Sequence, residues 1–415
     1  MNRLFALLFA LLSTFLLSVQ AIEISMWHTR PSFETALINQ FCDEFEKAYM
    51  SSKHMSSKHM SPKQVPAITV TCTSINFANF KPDLVSGAYE NRLPDLAIVP
   101  ADFLGLHDVL KISPLKETPL PKEVSKDSFK TVSVDGNVWG IPLLQGNHLL
   151  LYYNRALVDQ PLKNFEALWS QPQVKTKKDV DYIGWSYAEM YWFVPFLGAY
   201  GGWPVTESGV ELNTPAMVKA LDYYAKFRKH GVIDDLCNYQ CVRTKFFGNK
   251  LAYVIDGDWA FKEYQKQLGD DFGVAELPKA DGRSLISMYS SHSLAFLNHS
   301  LESDKRPVLL AFANYLTSAD VQRRWHEKTG QLPVHSTVLK EIIATDDKDM
   351  QISLKQLAQS KQMPITSSMT YAWQAMSRGF TRHINHDIPL EQAVDYMQIS
   401  FERDIKRYET DGEDK

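Results

Sequence analysis

Beyond its first twenty residues this chain has no continuous apolar run of the roughly 20 residues that a membrane-spanning helix needs, which excludes a helical integral membrane protein. It has no broad field of one charge: 44 basic and 48 acidic residues are well mixed and the net charge is −4, so neither nucleic acid nor an anionic membrane is an expected partner. A nucleophile elbow, a phosphate loop and a zinc-binding helix motif are all absent, which removes three common enzyme classes. Cysteine is sparse, with four in 415 residues. The close pair Cys237 and Cys241 has no second Cys or His pair at zinc spacing to accompany it, which argues against a metal site. No cofactor is expected.

What is present at the start is an export signal. Met1 to Arg3 carry one positive charge, Leu4 to Leu17 is almost wholly apolar, and Val19-Gln20-Ala21 leaves small or permissive residues where a signal peptidase reads. No Cys ends the segment, so a lipid anchor is not expected. Residues 1–21 are read as a removed signal peptide, with the mature chain beginning near Ile22. An even number of cysteines in an exported protein suggests disulfides, and sequence leaves three pairings open. Cys42 with Cys72 and Cys237 with Cys241 is the favoured one: the first joins a helix to the strand after it, and the second closes the tight loop Cys237-Asn238-Tyr239-Gln240-Cys241.

A mature chain of about 390 residues exceeds the size at which one hydrophobic core keeps growing, so two domains are expected. Ile22 to Trp27 reads as a strand, and Phe33, Leu37, Phe41 and Phe45 recur every four residues in a helix from Ser32 to Tyr49. Strands follow at Ile68 to Ile75 and Asp95 to Val99, giving the strand–helix alternation of a parallel sheet flanked by helices. Ser51-Ser52-Lys53-His54-Met55 is repeated at once as Ser56 to Met60; its polar composition, with Pro62 and Pro66 beyond, reads as a surface loop. Val134-Asp135-Gly136-Asn137 is a turn signal. Further strands are read at His148 to Asn154, Leu251 to Ile255, Phe272 to Ala275 and Ser293 to Leu297. Thr214 is read as the cap of a helix opened by Pro215 and ended at Gly231. Helices at Arg306 to Thr317 and Ala319 to Lys328 precede a largely helical last part.

Between Tyr182 and Trp203 the sequence packs Tyr182, Trp185, Tyr187, Tyr191, Trp192, Phe193, Phe196, Tyr200 and Trp203, with Glu189 among them. So many flat, amphipathic rings suit a ligand with apolar faces and hydroxyl edges, which describes a sugar. Trp192, Phe193 and Phe196 read as core; Glu189 and Tyr191, just before that run, are the better candidates for ligand contact.

Several segments share an order and spacing with one family. Glu189-Met190-Tyr191, Pro195, Gly201-Gly202, the run Phe246 to Trp259, Phe272-Gly273-Val274 and Leu277-Pro278 resemble the extracellular solute-binding proteins of carbohydrate ABC importers, the maltose and maltodextrin binders above all. Pro94-Asp95 with Asp102, Pro142 through Tyr153-Asn154, Leu316-Thr317-Ser318 and Met369 to Trp373 extend the resemblance through nearly the whole mature chain. It implies an α/β, two-lobed periplasmic-binding-protein fold of type II, with a hinge between discontinuous α/β domains. Lobe one is placed at 22–145 plus 282–318, lobe two at 146–281 plus 319–410, and a tail at 411–415. It implies a periplasmic, monomeric receptor that passes a small-molecule carbohydrate to an ABC permease in the inner membrane.

By resemblance, Trp259, Trp373 and Tyr191 match positions that stack on sugar rings, and Glu189 and Asp102 match carboxylates that accept hydrogen bonds from sugar hydroxyls. The match departs at Val99, Phe103 and Asn147, where maltose binders carry tryptophan, arginine and glutamate; Asn147 is still counted among the ligand residues. Trp27 and His28 end the first strand facing the expected cleft; His28 is a candidate donor to a hydroxyl, and a core role is an equal alternative for Trp27. Two rival readings stand beside this one. Glu189, Asp256 and Asp258 are carboxylates of the kind a glycosidase uses, although turn formation accounts for the two that flank Gly257, and no enzyme is expected. Trp27-His28 and Trp325 to Pro333 resemble segments of glycerol 3-phosphate binders, a ligand that needs Arg, Lys or clustered amides; Met363 to Trp373 offers no basic residue.

Overall fold

The computed structural model of the chain describes residues 21–56, 67–116, 118–170, 180–386 and 388–413. Apart from Ala21, the signal peptide lies outside them, as does most of the second Ser-Ser-Lys-His-Met copy. Among the described residues the strands are β1 Ile22–His28, β2 Ile68–Ser74, β3 Leu96–Pro100, β4 Ser133–Val134, β5 Asn137–Val138, β6 Ile141–Gly146 and β7 Leu149–Asn154, followed by β8 Asp181–Gly184, β9 Leu251–Gly257, β10 Phe272–Ala275, β11 Met288–Phe296, β12 Leu332–Pro333 and β13 Lys361–Gln362.

One sheet runs β12-β6-β11-β3-β1-β2, with β13 beside β11; a second runs β10-β7-β9-β8. β1 pairs in parallel with both β2 and β3, as strand–helix alternation predicts. The sheet is mixed, however, because β11 runs antiparallel to both β3 and β6: the chain enters β11 from the second sheet and so arrives in the opposite direction. The central strands of each sheet are buried on both faces. Along β7, Leu149, Leu151 and Tyr153 join one core while Leu150 and Tyr152 join another, and along β3 Leu96 and Ile98 alternate in the same way with Ala97 and Val99. The Val134–Asn137 turn forms as expected, with Asp135 and Gly136 at φ 50° and 75°, the geometry that matches the strand twist of β4 and β5.

Of the dense aromatic segment, Trp185, Tyr187, Trp192, Phe193, Phe196 and Trp203 are buried in the second lobe's core. Tyr187 stacks on Tyr224 at 4.6 Å, and the Trp185 indole donates to the Tyr224 hydroxyl at 2.6 Å. The core reading of Trp192, Phe193 and Phe196 holds and reaches further than the sequence indicated, which leaves Tyr182, Tyr191 and Tyr200 as the half-buried rings of that segment.

Three expectations are corrected. The first helix runs Ser32–Ser56, so the opening part of the repeat is helix rather than loop. Residues 319–333 belong with the first sheet: Val321 and Trp325 are buried beside Met26 and Leu96, and β12 pairs with β6. The Trp325 indole finds its acceptor in Glu34 at 3.1 Å, which fastens the helix Ala319–Thr329 to the first lobe. Last, Asp256 and Gly257 lie in β9 rather than in a turn. The chain crosses between sheets at residues 147–148 and again between β10 and β11. Cys42 is joined to Cys72 and Cys237 to Cys241, with Cα atoms 6.7 Å and 5.2 Å apart. That bonding occupies the thiols that a metal at Cys237 and Cys241 would need.

Candidate ligand site between the two sheets

Three half-buried rings from three separate elements converge beside the crossing segment. Tyr191 sits in the first turn of the helix Met190–Ala199, Trp259 in the short 3-10 turn Asp258–Ala260 that follows β9, and Trp373 in the helix Ser367–His386. The Tyr191 ring lies 6.1 Å from Trp259 and 6.2 Å from Trp373, both tilted. Trp259 is held from behind: its indole N–H donates to the Tyr239 hydroxyl at 2.9 Å, and Trp192 meets it edge-on at 6.4 Å. Asn238 positions Tyr239 by capping its helix, its side chain accepting from the Cys241 N–H at 3.0 Å. Gly257 is required here, since a Cβ would run into the Trp259 ring.

Asp102 lies in the 3-10 turn Ala101–Leu106 after β3 and is 8% exposed. Burial pushes its carboxyl above the usual range, while Lys81 and a hydrogen bond from the Trp373 indole pull it back. Lys81 donates to the Thr370 hydroxyl at 3.3 Å and stands 5.0 Å from the centre of the Phe103 ring. The fold thus brings Asp102, Lys81 and Trp373 together. Glu189 occupies the N-cap position of the helix that carries Tyr191 and accepts from the Ser186 hydroxyl at 3.2 Å. Its side chain reaches solvent, yet partial desolvation still lifts its carboxyl against that hydrogen bond.

Asn147 takes a left-handed conformation, φ 49°, between β6 and β7. What the fold uses is its backbone: the N–H donates to Asp258 Oδ2 at 3.1 Å and the carbonyl accepts from the Tyr191 hydroxyl. Val99 and Phe103 are core residues. Trp27 is half-buried and packs on that same core, so the core alternative describes one side of it. His28 is fully buried, with Nδ1 accepting from the Arg30 N–H at 3.3 Å. Burial and then the Arg30 charge lower its pKa to about 4, so the ring is neutral at pH 7.

Sequence reading missed Arg30, Lys81, Asp258 and Gln331. Arg30 and Glu34 stand four apart at a helix start, a visible ion-pair spacing, but nothing local marks Gln331. Asp258 was assigned to a turn. It is 2% exposed, and burial lifts its pKa to about 7 against the Asn147 N–H and Arg30. Asp256 is lifted to about 6 by burial, but both its oxygens are engaged, by the Tyr264 hydroxyl at 2.6 Å and the Gly257 N–H at 2.8 Å. A structural carboxylate accounts for Asp256.

The comparisons with known proteins follow this architecture. A maltose/maltodextrin-binding domain, MalE of Bdellovibrio bacteriovorus, solved with maltotriose bound, superposes with a TM-score of 0.79 at 24% identity, over 93% of this chain and all of that one. The GacH receptor of Streptomyces glaucescens, solved unliganded and with acarbose, gives a TM-score of 0.79 at 17% identity over 92% and 98%. In sequence the chain is 22% identical over 269 residues to the maltodextrin-binding protein MdxE of Bacillus subtilis, 61% of this chain and 63% of that one. It is 20% identical over 345 residues to the sn-glycerol-3-phosphate-binding periplasmic protein UgpB of Brucella melitensis, 78% and 77%. The family model for bacterial extracellular solute-binding proteins matches residues 42–352. With that span covered, and two α/β lobes joined by repeated crossings, the chain belongs to the bacterial extracellular solute-binding proteins.

Proposed function

We propose that this protein is the substrate-binding component of an ABC importer that captures a neutral sugar or oligosaccharide between its lobes and delivers it to a membrane permease. The observation that carries the reading is the meeting of Trp259 and Trp373 with Tyr191, three half-buried rings tilted against one another, with the Asp102 carboxyl under the influence of the Trp373 indole. Aromatic faces cover the C–H face of a pyranose, and carboxylates accept its hydroxyls. Glu189 and the Asn147 side chain complete the set on this reading, while the cleft-facing edge of Trp27 contributes contact area.

The protein works in the periplasm after removal of residues 1–21, as a monomer and without catalysis. No helix of the described residues is long and apolar enough to cross a membrane, in keeping with a receptor that meets its permease from outside. Ligand closes the lobes about the crossing segments, because burial removes water from both walls at once. A thermal-shift screen over mono- and oligosaccharides and glycerol phosphates tests the reading, since a ligand at 100 times its dissociation constant adds about 2.7 kcal/mol of stability. Small-angle scattering with the best ligand should show a smaller radius of gyration. Stabilisation by glycerol 3-phosphate alone supports the second reading, which the similarity to UgpB favours.

A further inference from the structure

Gly105 lies near the end of the 3-10 turn that carries Asp102, and it is buried. Its φ falls outside the left-handed region, so its backbone conformation does not call for glycine. The space around it does. A Cβ there would stand 2.6 Å from the Thr366 carbonyl carbon and 2.7 Å from the Ile365 and Thr366 oxygens, all of them backbone atoms that no side-chain rotation moves aside. The turn therefore rests directly on the backbone of residues 365–366, a contact that only a residue without a side chain permits.

What it rests on is the start of the helix Ser367–His386, which carries Trp373. The Thr366 carbonyl accepts from the Met369 N–H at 3.0 Å, a bond of the opening turn of that helix. The chain changes lobes at this point: Ile365 is buried in the core that holds Ala101, Phe103 and Leu104, whereas Met369, Ala372 and Met376 are buried in the second lobe's core. Two periodicities then bring both ligand groups to one contact. A 3-10 turn repeats roughly every three residues, so Asp102 and Gly105 share a face. Counting on from Thr366, Thr370 and Trp373 follow at i+4 and i+7, which is one face of a helix. Lys81, from the helix Phe77–Tyr89 packed on the same first-lobe core, adds a second tie by donating to the Thr370 hydroxyl at 3.3 Å.

Building on the sugar-receptor reading, we infer that Gly105 is a positioning residue: its bare backbone contact with residues 365–366 sets Trp373, a ring on a second-lobe helix, against Asp102 of the first lobe, so that these two ligand groups form one preset wall of the site. A wall fixed before the ligand arrives needs no ordering on binding, which is how such a contact raises affinity. Trp259 stands outside this unit, since Tyr239 holds it from the helix Tyr239–Phe247. Widening the Gly105 contact should therefore disturb one tryptophan and spare the other.

The test compares the full mature chain with Gly105→Ala. Fluorotryptophan is incorporated into both, the fluorine resonances of Trp373 and Trp259 are assigned with Trp373→Phe and Trp259→Phe, and maltose and maltotriose are titrated by calorimetry. Without ligand, the expected result is a displaced Trp373 resonance beside an unmoved Trp259 resonance. With ligand, affinity should fall roughly ten-fold; this loss should shrink below about two-fold in the Trp373→Ala background and persist in the Trp259→Ala background, whereas a merely structural defect costs the same in both. A Trp373 resonance that stays in place overturns the inference, as does an equal loss in the two backgrounds. A displaced Trp373 resonance in a protein that binds neither saccharide supports the anchoring of Trp373 and overturns the sugar reading alone. Should Gly105→Ala fail to fold, Ile365→Val and Thr370→Val, which loosen the same contact from its far side, are judged by the same resonances and the same two backgrounds.

Discussion

The Tyr191 hydroxyl donates to the Asn147 carbonyl, so the ring nearest both candidate stacking tryptophans is tied to the segment in which the chain first crosses between its sheets. A ligand that moves Tyr191 therefore pulls on the crossing, and a movement of the crossing displaces Tyr191. Tyr191→Phe keeps the ring and removes the tie. Leaving the carbonyl without its partner is expected to cost about 1–3 kcal/mol of stability without ligand, read from the urea midpoint. An unchanged midpoint and an unchanged affinity would strip the bond of any positioning role.

Trp259→Ala and Trp373→Ala should each weaken saccharide binding by roughly one to two powers of ten, if a stacked ring contributes on the order of 1–3 kcal/mol. Melting curves without ligand separate this from simple core damage, which would lower the melting temperature sharply and leave the affinity of folded molecules nearly unchanged. Trp373→Phe makes a finer division. It retains an aromatic face but removes the N–H that Asp102 accepts, so an affinity between those of the Ala variant and the parent is expected.

Asp258 gives a pH signature of definite sign. Its carboxyl holds its proton up to about 7 when folded, against an ordinary value of 3.8. Between those values the folded chain binds more protons than the unfolded one, so the contribution of this group is fully present below 3.8 and is lost as pH rises through about 7. Asp258→Asn should therefore stabilise the ligand-free protein at pH 8, by at most on the order of 4 kcal/mol, with the gain vanishing near pH 4. His28 and His148 act in the other direction. Burial lowers both to about 4, so the unfolded state binds more protons below 6.5 and their contribution falls as pH falls toward 4. Urea titrations at several pH values read both effects, and a gain for Asp258→Asn that is equal at pH 4 and pH 8 would contradict the assigned burial.

The two disulfides close loops of different length and should differ in worth. Opening Cys42–Cys72, thirty residues apart, by Cys→Ser at both positions is expected to cost about 3–4 kcal/mol, and opening Cys237–Cys241, four apart, about 2 kcal/mol. The shorter one has a second consequence: Cys241 lies in the helix that carries Tyr239, the acceptor of Trp259. Opening it should loosen ligand binding as well as the fold, whereas opening Cys42–Cys72 should affect stability alone. Thiol titration of the denatured, unreduced protein should find no free cysteine.

Much of the fold was legible because its signals are local. β10 begins and ends at Phe272 and Ala275 as read, and Thr214 caps the helix Pro215–Lys229 because its side chain and the proline after it act within one turn. The Asp135-Gly136 turn and the close pair Cys237–Cys241 were readable for the same reason. Tertiary structure decided what depends on partners distant in sequence. Gln331 is ordinary in its own segment and becomes a buried acceptor only when Arg30, some three hundred residues earlier, is folded against it. Residues 319–333 were given to the wrong lobe because an amphipathic helix does not announce which sheet will receive its apolar face. Asp258 read as a turn residue since Asp-Gly-Asp suits a turn. What makes it a buried carboxyl that holds its proton to about 7 is its burial among partners distant in sequence, Asn147 and Arg30 among them, and desolvation of that kind is a property of the assembled molecule, which no stretch of sequence carries.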